Sequence, residues 1–455
     1  MSRKVALAIG GLDPSTGAGI TADCISFAVI GVHGVSVATA LTYQSTRGVS
    51  GFGAVAERDM VAQLDALLED VDVGAVKLGM LASDVLVHAL DPYLTRWLDA
   101  GVPVVFDPVT VAGNGQPLYE GVPEKIFGDV VLPRVTLVTP NTLELASLIG
   151  DQPAANQGEL RTQVRVFQSR YGPAVLATGG HIGDDGGDGD VADILFTGSE
   201  MREYRRTRVA GNIHGTGCLI AAAIAGYMAQ GLDLMAAFQQ AEEYATAAVA
   251  AAYAPGTGVR VPNRTAAVFD DAERWRVYNN VARAVNIFSA AANTYKLIPE
   301  VGTNIVYALP TAHDESEICA VPGRIIRINH GVESYGHPAF GASGHMARAV
   351  KTVMKYDPSY RAAMNVRYGE DVIAACSELG YRMASFDRGD EPEEDASAEG
   401  TTLQWGVGRA AAGGNEAVPD VVYDCGAVGK EPMVRLFGRD AIEVVRRAVA
   451  ISRRL

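Results

Sequence analysis

Short apolar runs alternating with longer amphipathic stretches limit this chain most. Residues 5–9, 74–78, 102–106, 136–138 and 174–177 read as buried strands, and 59–68 and 86–97 as helices between them. Strands that are apolar throughout belong in a mostly parallel sheet with helices on both faces, because each crossover lays a helix on the sheet. Ligands in such folds gather at the carboxyl ends of the strands. Gly10-Gly11-Leu12-Asp13, Gly79-Met80, Asp107-Pro108 and Pro140-Asn141 all fall at those ends.

At 455 residues the chain exceeds a single core and predicts two domains. The best boundary is residues 254–264, Ala-Pro-Gly-Thr-Gly-Val-Arg-Val-Pro-Asn-Arg. An amphipathic helix follows, with Trp275, Tyr278, Val281, Val285 and Phe288 on one stripe. The topology of the second domain stays open between α/β and α+β. The acidic glycine-rich run 183–190 reads as a solvated hairpin tip, and 387–400 as a charged loop.

A net charge of −15 with no basic block argues against nucleic acid as a partner. Five scattered cysteines without a Cys-x-x-Cys pair fit a reducing cytosol and no structural zinc. Residues 1–11 read as a first strand, not a signal peptide, and the apolar run 219–229 falls short of the ~20 residues of a membrane span. The expectation is a soluble cytoplasmic protein.

The most chemical stretch is Asn212-Ile-His214-Gly215-Thr216-Gly217-Cys218, leading straight into that apolar run. A Gly-Thr-Gly turn opening a helix presents backbone N–H groups at the positive end of a dipole, a cradle for an anion. The same field is expected to lower the Cys218 thiol and favour a thiolate base. Cradle and base together point to phosphoryl transfer. That reaction needs carboxylates for magnesium, and Asp107, just after a strand, and Glu144, in a helix opened by Asn141, are suitable. The small-residue loop from Gly11 to Ala22 lets a flat ligand approach the backbone, and the Gln44 amide can both donate to and accept from a heteroaromatic edge.

The second domain offers Phe340-Gly-Ala-Ser-Gly-His345-Met-Ala-Arg348, with Ser343 as a helix cap and His345 and Arg348 on neighbouring faces at the helix start. Histidine and arginine at such a start can hold a diphosphate. Arg324 and Arg327 upstream, and the glycine loop ending at Lys430, add cations.

Taken together, Gly11-x-Asp13-Pro-Ser-x-Gly17-Ala-Gly-Ile, Gln44, Lys77-x-Gly79-Met80-Leu, Asp107-Pro-Val109, Thr139-Pro-Asn141-x-x-Glu144 and His214-Gly-Thr-Gly-Cys218 resemble the hydroxymethylpyrimidine/phosphomethylpyrimidine kinases, members of the ribokinase superfamily. The resemblance covers about residues 1–262. It implies two successive ATP-dependent phosphorylations of 4-amino-5-hydroxymethyl-2-methylpyrimidine. Cys218 would be the base or hydroxyl-positioning group, with Gly215, Thr216 and Gly217 as the phosphate cradle. Gln44 would read the pyrimidine edge, and Met80 and Gly11 would wall its pocket. Asn141 and Glu144, with Asp107 nearby, would organise Mg2+ and phosphates. A homodimer is the expected assembly. Thr178 and Glu242 stand where the family usually carries lysines, which leaves the phosphoryl donor open.

Ile298-Pro-Glu-Val-Gly-Thr-Asn304, Gly323-Arg324-Ile, Phe340-Gly-Ala-Ser-Gly-His345, Met364-Asn365-Val-Arg367, Phe386-Asp-Arg388 and Tyr423-Asp424-x-Gly426-x-x-Gly429-Lys-Glu431-Pro are similar to the archaeal-type thiamine-phosphate synthase domain, over about 270–455. That resemblance implies condensation of the pyrimidine diphosphate with a thiazole phosphate. Arg324 and His345 would stabilise the departing pyrophosphate, with Arg348, Arg367 and Lys430 as phosphate contacts. Two alternatives stand beside it: a non-catalytic thiamine-phosphate sensor at the C-terminus, and a pyridoxal-type kinase at the N-terminus.

Overall fold

The computed structural model describes residues 3–180, 190–209, 211–310, 312–388, 405–409, 418–427 and 429–455. Most of the expected acidic tip at 183–190 and of the charged loop at 387–400 lies outside them. The chain divides into two units, Met1–Phe269 and Asp270–Leu455.

Nine strands make the first sheet: β1 Val5–Leu12, β2 His33–Ser45, β3 Gly48–Ala54, β4 Ala75–Leu78, β5 Val104–Phe106, β6 Leu137–Val138, β7 Ala174–Ala177, β8 Asp190–Phe196 and β9 Met201–Thr207. Their order is β9-β8-β7-β6-β5-β4-β1-β2-β3, with six parallel strands at the centre and antiparallel hairpins at each edge. All five expected strands are present at the centre. Ala6 to Gly11 and all of β4 are buried on both faces, as a helix-covered parallel sheet requires. The β2–β3 hairpin was not anticipated, because its exposed positions break the apolar runs.

Glu57–Asp70 and Asp84–Asp99 supply the two expected helices. The helix Thr216–Ala229 is buried from Leu219 to Gly226 and packs against the helix Gly19–Ile30. An interior position explains why its sequence lacks a polar face. Two register shifts matter for function: β1 slips against β2 between Gly10 and Gly11, and β2 against β3 between Tyr43 and Gln44. Bulges of this kind re-aim the next side chain, and both lie at residues singled out from the sequence.

The stretch 254–264 is not a free linker. The Val259 N–H donates to the Thr46 carbonyl at 2.8 Å, Val261 pairs with Tyr253, and Arg264 is 5% exposed. Gly256 and Gly258 allow close contact with the 46–47 turn, and the division between units comes later, within the helix Ala266–Ala290.

In the second unit seven strands, β10 Ile305–Ala308, β11 Ile318–Ala320, β12 Ala339–Phe340, β13 Ala362–Arg367, β14 Met383–Ser385, β15 Val421–Asp424 and β16 Met433–Gly438, run in the order β12-β11-β10-β13-β16-β15-β14. All neighbours are antiparallel except β14 and β15. The helices Ala266–Ala290, Glu370–Glu378 and Ala441–Ser452 contribute to one core, and Gly344–Met354 to a second. Val281, Val285 and Phe288 of the expected stripe are buried, while Trp275 at its start is 66% exposed.

Candidate functional site

A cleft of about 1710 Å³ opens along the carboxyl ends of the first sheet. Gly11, Gln44, Met80, Asp107, Asn141, Glu144, Gly215, Thr216, Gly217 and Cys218 all line it. Every residue picked from the first part of the sequence is therefore brought to one place.

At one end the loop after β1 is tied down by Asp13, whose carboxylate accepts from the Ser15 N–H at 2.8 Å, the Ala18 N–H at 2.9 Å and Gln44 Nε2 at 3.1 Å. Gln44 Nε2 also stands 3.0 Å from His214 Nε2. The amide is thus fixed between the first loop and the Gly-Thr-Gly turn. Met80 covers Gly11 so closely that a Cβ there would lie 2.9 Å from its Sδ. Gly215 has φ +86°, and a Cβ on it would collide with the Gly17 carbonyl. Arg264 locks the same two turns together, donating from Nη2 to the carbonyls of Gly17 at 3.0 Å and Gly215 at 3.4 Å.

Deeper in, Lys77 Nζ lies 2.9 Å from Asp23 and 4.0 Å from Asp107, all three buried. Burial works against the ammonium, but the charges of Asp23 and Asp107 outweigh it and hold Lys77 above its usual range. Cys218 corrects an expectation. Crowding by protein atoms, then the Asp107 charge, pushes its thiol up, and the thiol hydrogen-bonds to Asp107. The helix-start field does not win here, because a carboxylate in contact acts more strongly than half-charges at a helix end. Cys218 is a neutral thiol held on a carboxylate, not a thiolate.

Glu144 accepts from the Asn141 N–H at 2.9 Å, and Asn141 Oδ1 accepts from the N–H groups of Leu143 and Glu144, a full capping box. Burial and the Asp107 charge together push Glu144 up to about 8. Asp107 Oδ2 is buried without a hydrogen-bond donor. Two carboxylates that repel each other, one with an unsatisfied oxygen, fit a divalent cation.

In the second unit, His345 sits in the first turn of the helix Gly344–Met354. Ser343 occupies the cap position, but its side chain makes no capping bond. Although His345 keeps access to solvent, local crowding and the charges of Arg435, Arg348, Arg324 and Arg388 pull its imidazolium down to about 4. Arg348 Nη1 is 2.9 Å from Glu315, and Arg324, at φ +70°, donates to the Val301 carbonyl. Asp424, fully buried, takes two guanidinium groups: Arg388 at 2.7 and 3.1 Å and Arg435 at 2.8 Å. Of the cations chosen from sequence, Arg324 and Arg348 act on His345. Arg367 instead pairs with Asp371 at 3.0 Å and with the Lys296 carbonyl, and Lys430 is exposed on the turn that pairs it with Ala427.

Sequence reading gave no role to Asp23, Lys77, Arg264, Arg388, Asp424 or Arg435. The available signal was a charge inside an apolar strand, Lys77 in β4 and Arg435 in β16, since ions are rarely placed there unless paired.

A sheet of this order, with an anion cradle and paired carboxylates at its carboxyl edge, defines the first unit as a ribokinase-like kinase. The pyridoxal kinase from Staphylococcus aureus in complex with ADP shares that fold, at TM-score 0.53 and 23% identity over 59% of this chain and 95% of that one. The family model for phosphomethylpyrimidine kinase matches residues 13–263, and that for thiamine-phosphate synthase ThiN matches 280–450. The chain is 30% identical to the bifunctional thiamine biosynthesis protein ThiDN of Methanocaldococcus jannaschii, over 99% of this chain and 98% of that protein. It is 40% identical to the thiamine-phosphate synthase ThiN of Methanothermobacter thermautotrophicus, over 38% of this chain and 92% of that protein. The chain belongs to the bifunctional thiamine-biosynthesis family, in which a hydroxymethylpyrimidine/phosphomethylpyrimidine kinase is joined to a thiamine-phosphate synthase. Among the described residues no helix is long and apolar enough to cross a membrane.

Proposed function

We propose that the first unit phosphorylates 4-amino-5-hydroxymethyl-2-methylpyrimidine twice, from ATP with Mg2+, and that the second unit condenses the diphosphate with a thiazole phosphate. The supporting observation for the kinase half is the joining of Cys218, Asp107 and Glu144 at the Gly-Thr-Gly helix start. Gln44, Met80 and Gly11 hold the ring, and the backbone of Gly215, Thr216 and Gly217 receives the transferred phosphoryl group. Cys218 orients the attacking hydroxyl, and Asp107 is the nearer acceptor for its proton. Glu144, with Asp107 nearby, would hold the magnesium, which would supply shielding of the phosphate charge, while Asn141 keeps Glu144 in place.

In the second reaction the bond from the pyrimidine methylene to the diphosphate oxygen breaks, and its electron pair leaves with pyrophosphate. The thiazole nitrogen lone pair then closes the new C–N bond. Stabilising the departing anion is electrostatic work, and the guanidinium groups around a neutral His345 suit it. Arg324 and Arg348 face the anion in this reading; Arg367 and Lys430 are left as outer phosphate contacts. We place the enzyme in the cytoplasm as a homodimer, consistent with free cysteines.

Mass spectrometry of one mixture tests both halves: protein, hydroxymethylpyrimidine, ATP, Mg2+ and a thiazole phosphate, with His345→Ala in parallel. Thiamine phosphate from the wild type and pyrimidine diphosphate accumulating in the variant is the expected result. Diphosphate accumulating in both samples would reduce the second unit to a sensor, and an untouched pyrimidine alongside phosphorylation of pyridoxal in a parallel sample that contains it would reassign the first.

A further inference from the structure

The phosphate chain of a nucleoside triphosphate needs a cation that can reach it. Among the described residues lining the cleft, the lysines and arginines are Lys77, Arg205, Arg206 and Arg208. Lys77 is 1% exposed and held by Asp23 and Asp107. Arg205 pairs with Glu203 at 3.2 Å with its side chain 58% exposed, and Arg208 donates to the Gly180 carbonyl at 3.0 Å.

Arg206, near the end of β9, is built differently. Its Nη1 alone reaches both Asp193 Oδ2 at 2.6 Å and Glu242 Oε2 at 2.9 Å. Both carboxyl groups are 1% exposed, whereas the arginine side chain is 25% exposed. Asp193 Oδ1 also accepts from the Gly179 N–H at 2.8 Å, which couples the arginine to the Thr178–Gly180 turn of the cleft wall. One nitrogen is therefore held by two buried carboxyl groups while the side chain lines the cleft, and a guanidinium has further N–H donors with which it can bind phosphate through two parallel bonds. Burial and then the Asp193 charge push Glu242 above the usual carboxylate range.

We propose that Arg206 is the cation that binds the phosphate chain of the phosphoryl donor, with Asp193 and Glu242 as the residues that position it. The assignment rests on a nucleoside triphosphate being the donor. It predicts that donor recognition and pyrimidine recognition separate by mutation, since Gln44 and Met80 contact the ring end of the same cleft.

Initial rates of the full-length protein would be measured against ATP, GTP and CTP, and separately against hydroxymethylpyrimidine, for wild type, Arg206→Ala, Arg206→Lys and Asp193→Asn. The expected result is a rise of tenfold or more in the KM for the preferred triphosphate in Arg206→Ala, with the pyrimidine KM within twofold. Arg206→Lys should recover part of the loss, and Asp193→Asn should raise the triphosphate KM with little change in kcat. If Arg206→Ala does not fold, the lysine and asparagine variants decide by the same split. A triphosphate KM that stays within twofold, or equal rises for both substrates, overturns the assignment alone. A wild type that turns over none of the three triphosphates overturns the donor reading and the assignment with it.

Discussion

Lys77 and Asp23 form an ion pair of 2.9 Å with both side chains 1% exposed, beneath the cleft where Asp107 and Cys218 meet. A charge left alone at such a depth is costly, so the pair behaves as one unit. Lys77→Met is expected to destabilise the protein by about 3–5 kcal/mol. Replacing Asp23 by Leu in the same chain should recover a large part of that loss. Urea unfolding followed by fluorescence checks both, and additive losses in the double variant would show that the two residues do not depend on each other.

Cys218 is expected to resist alkylation. Its thiol is pushed up by crowding and by Asp107, so the difference in thiolate absorbance between wild type and Cys218→Ala should show no inflection below the ordinary value of 9.0. Cys218→Ser keeps a donor for Asp107 and should retain kinase activity within about tenfold, in the range of one displaced hydrogen bond. Rapid iodoacetamide inactivation at pH 7 with modification at Cys218 would contradict this.

His345 should titrate on the acid side of free histidine, near 4 where the free value is 6.5. The sign follows from its neighbours. A folded value below the unfolded one means that the folded state resists the proton, so its contribution to stability is present above about pH 6.5 and fades as the pH falls toward 4. Proton NMR of wild type against His345→Asn isolates the resonance. Added pyrophosphate should move the midpoint upward, because its charge offsets the guanidinium groups. A midpoint above 6 without ligand would remove the arginine ring from the account.

Asp424→Asn is expected to damage the second unit through two arginines at once. Arg435 is 1% exposed and Arg388 is largely covered, so losing their shared carboxylate leaves two like charges side by side. A loss of about 3–5 kcal/mol is expected. Differential scanning calorimetry of the full chain would show it as a lowered transition, accompanied by loss of thiamine phosphate formation while pyrimidine diphosphate is still made.

The parallel sheet was legible because β1, β4, β5, β6 and β7 are buried on both sides and, Lys77 apart, made of apolar and small residues. The β2–β3 hairpin and β9 were not, since exposed positions, among them Leu41 and Tyr43 in β2 and Arg202, Glu203 and Arg205 in β9, interrupt any continuous buried run. Cleft residues such as Gln44, Asp107 and Gly215 could be picked out because they stand at strand and helix ends, where position along the chain predicts position in space. Asp23, Arg206, Asp424 and Arg435 act through partners on other strands or helices, 54 residues apart for Asp23 and Lys77 and 11 for Asp424 and Arg435, and a linear pattern contains no trace of which ions pair. The state of Cys218 escaped for the same reason, because Asp107 approaches it from another strand.

The glycine- and proline-rich stretch 254–264 looks like the natural place to divide the two activities, yet Arg264 ties the first loop of the kinase cleft to its phosphate turn. A recombinant kinase ended at residue 262 would lose that tie and splay the two ends of its own active site. An autonomous first half should run through Phe269, so the shortest heritable kinase module reaches into the opening turn of the helix that begins at Ala266.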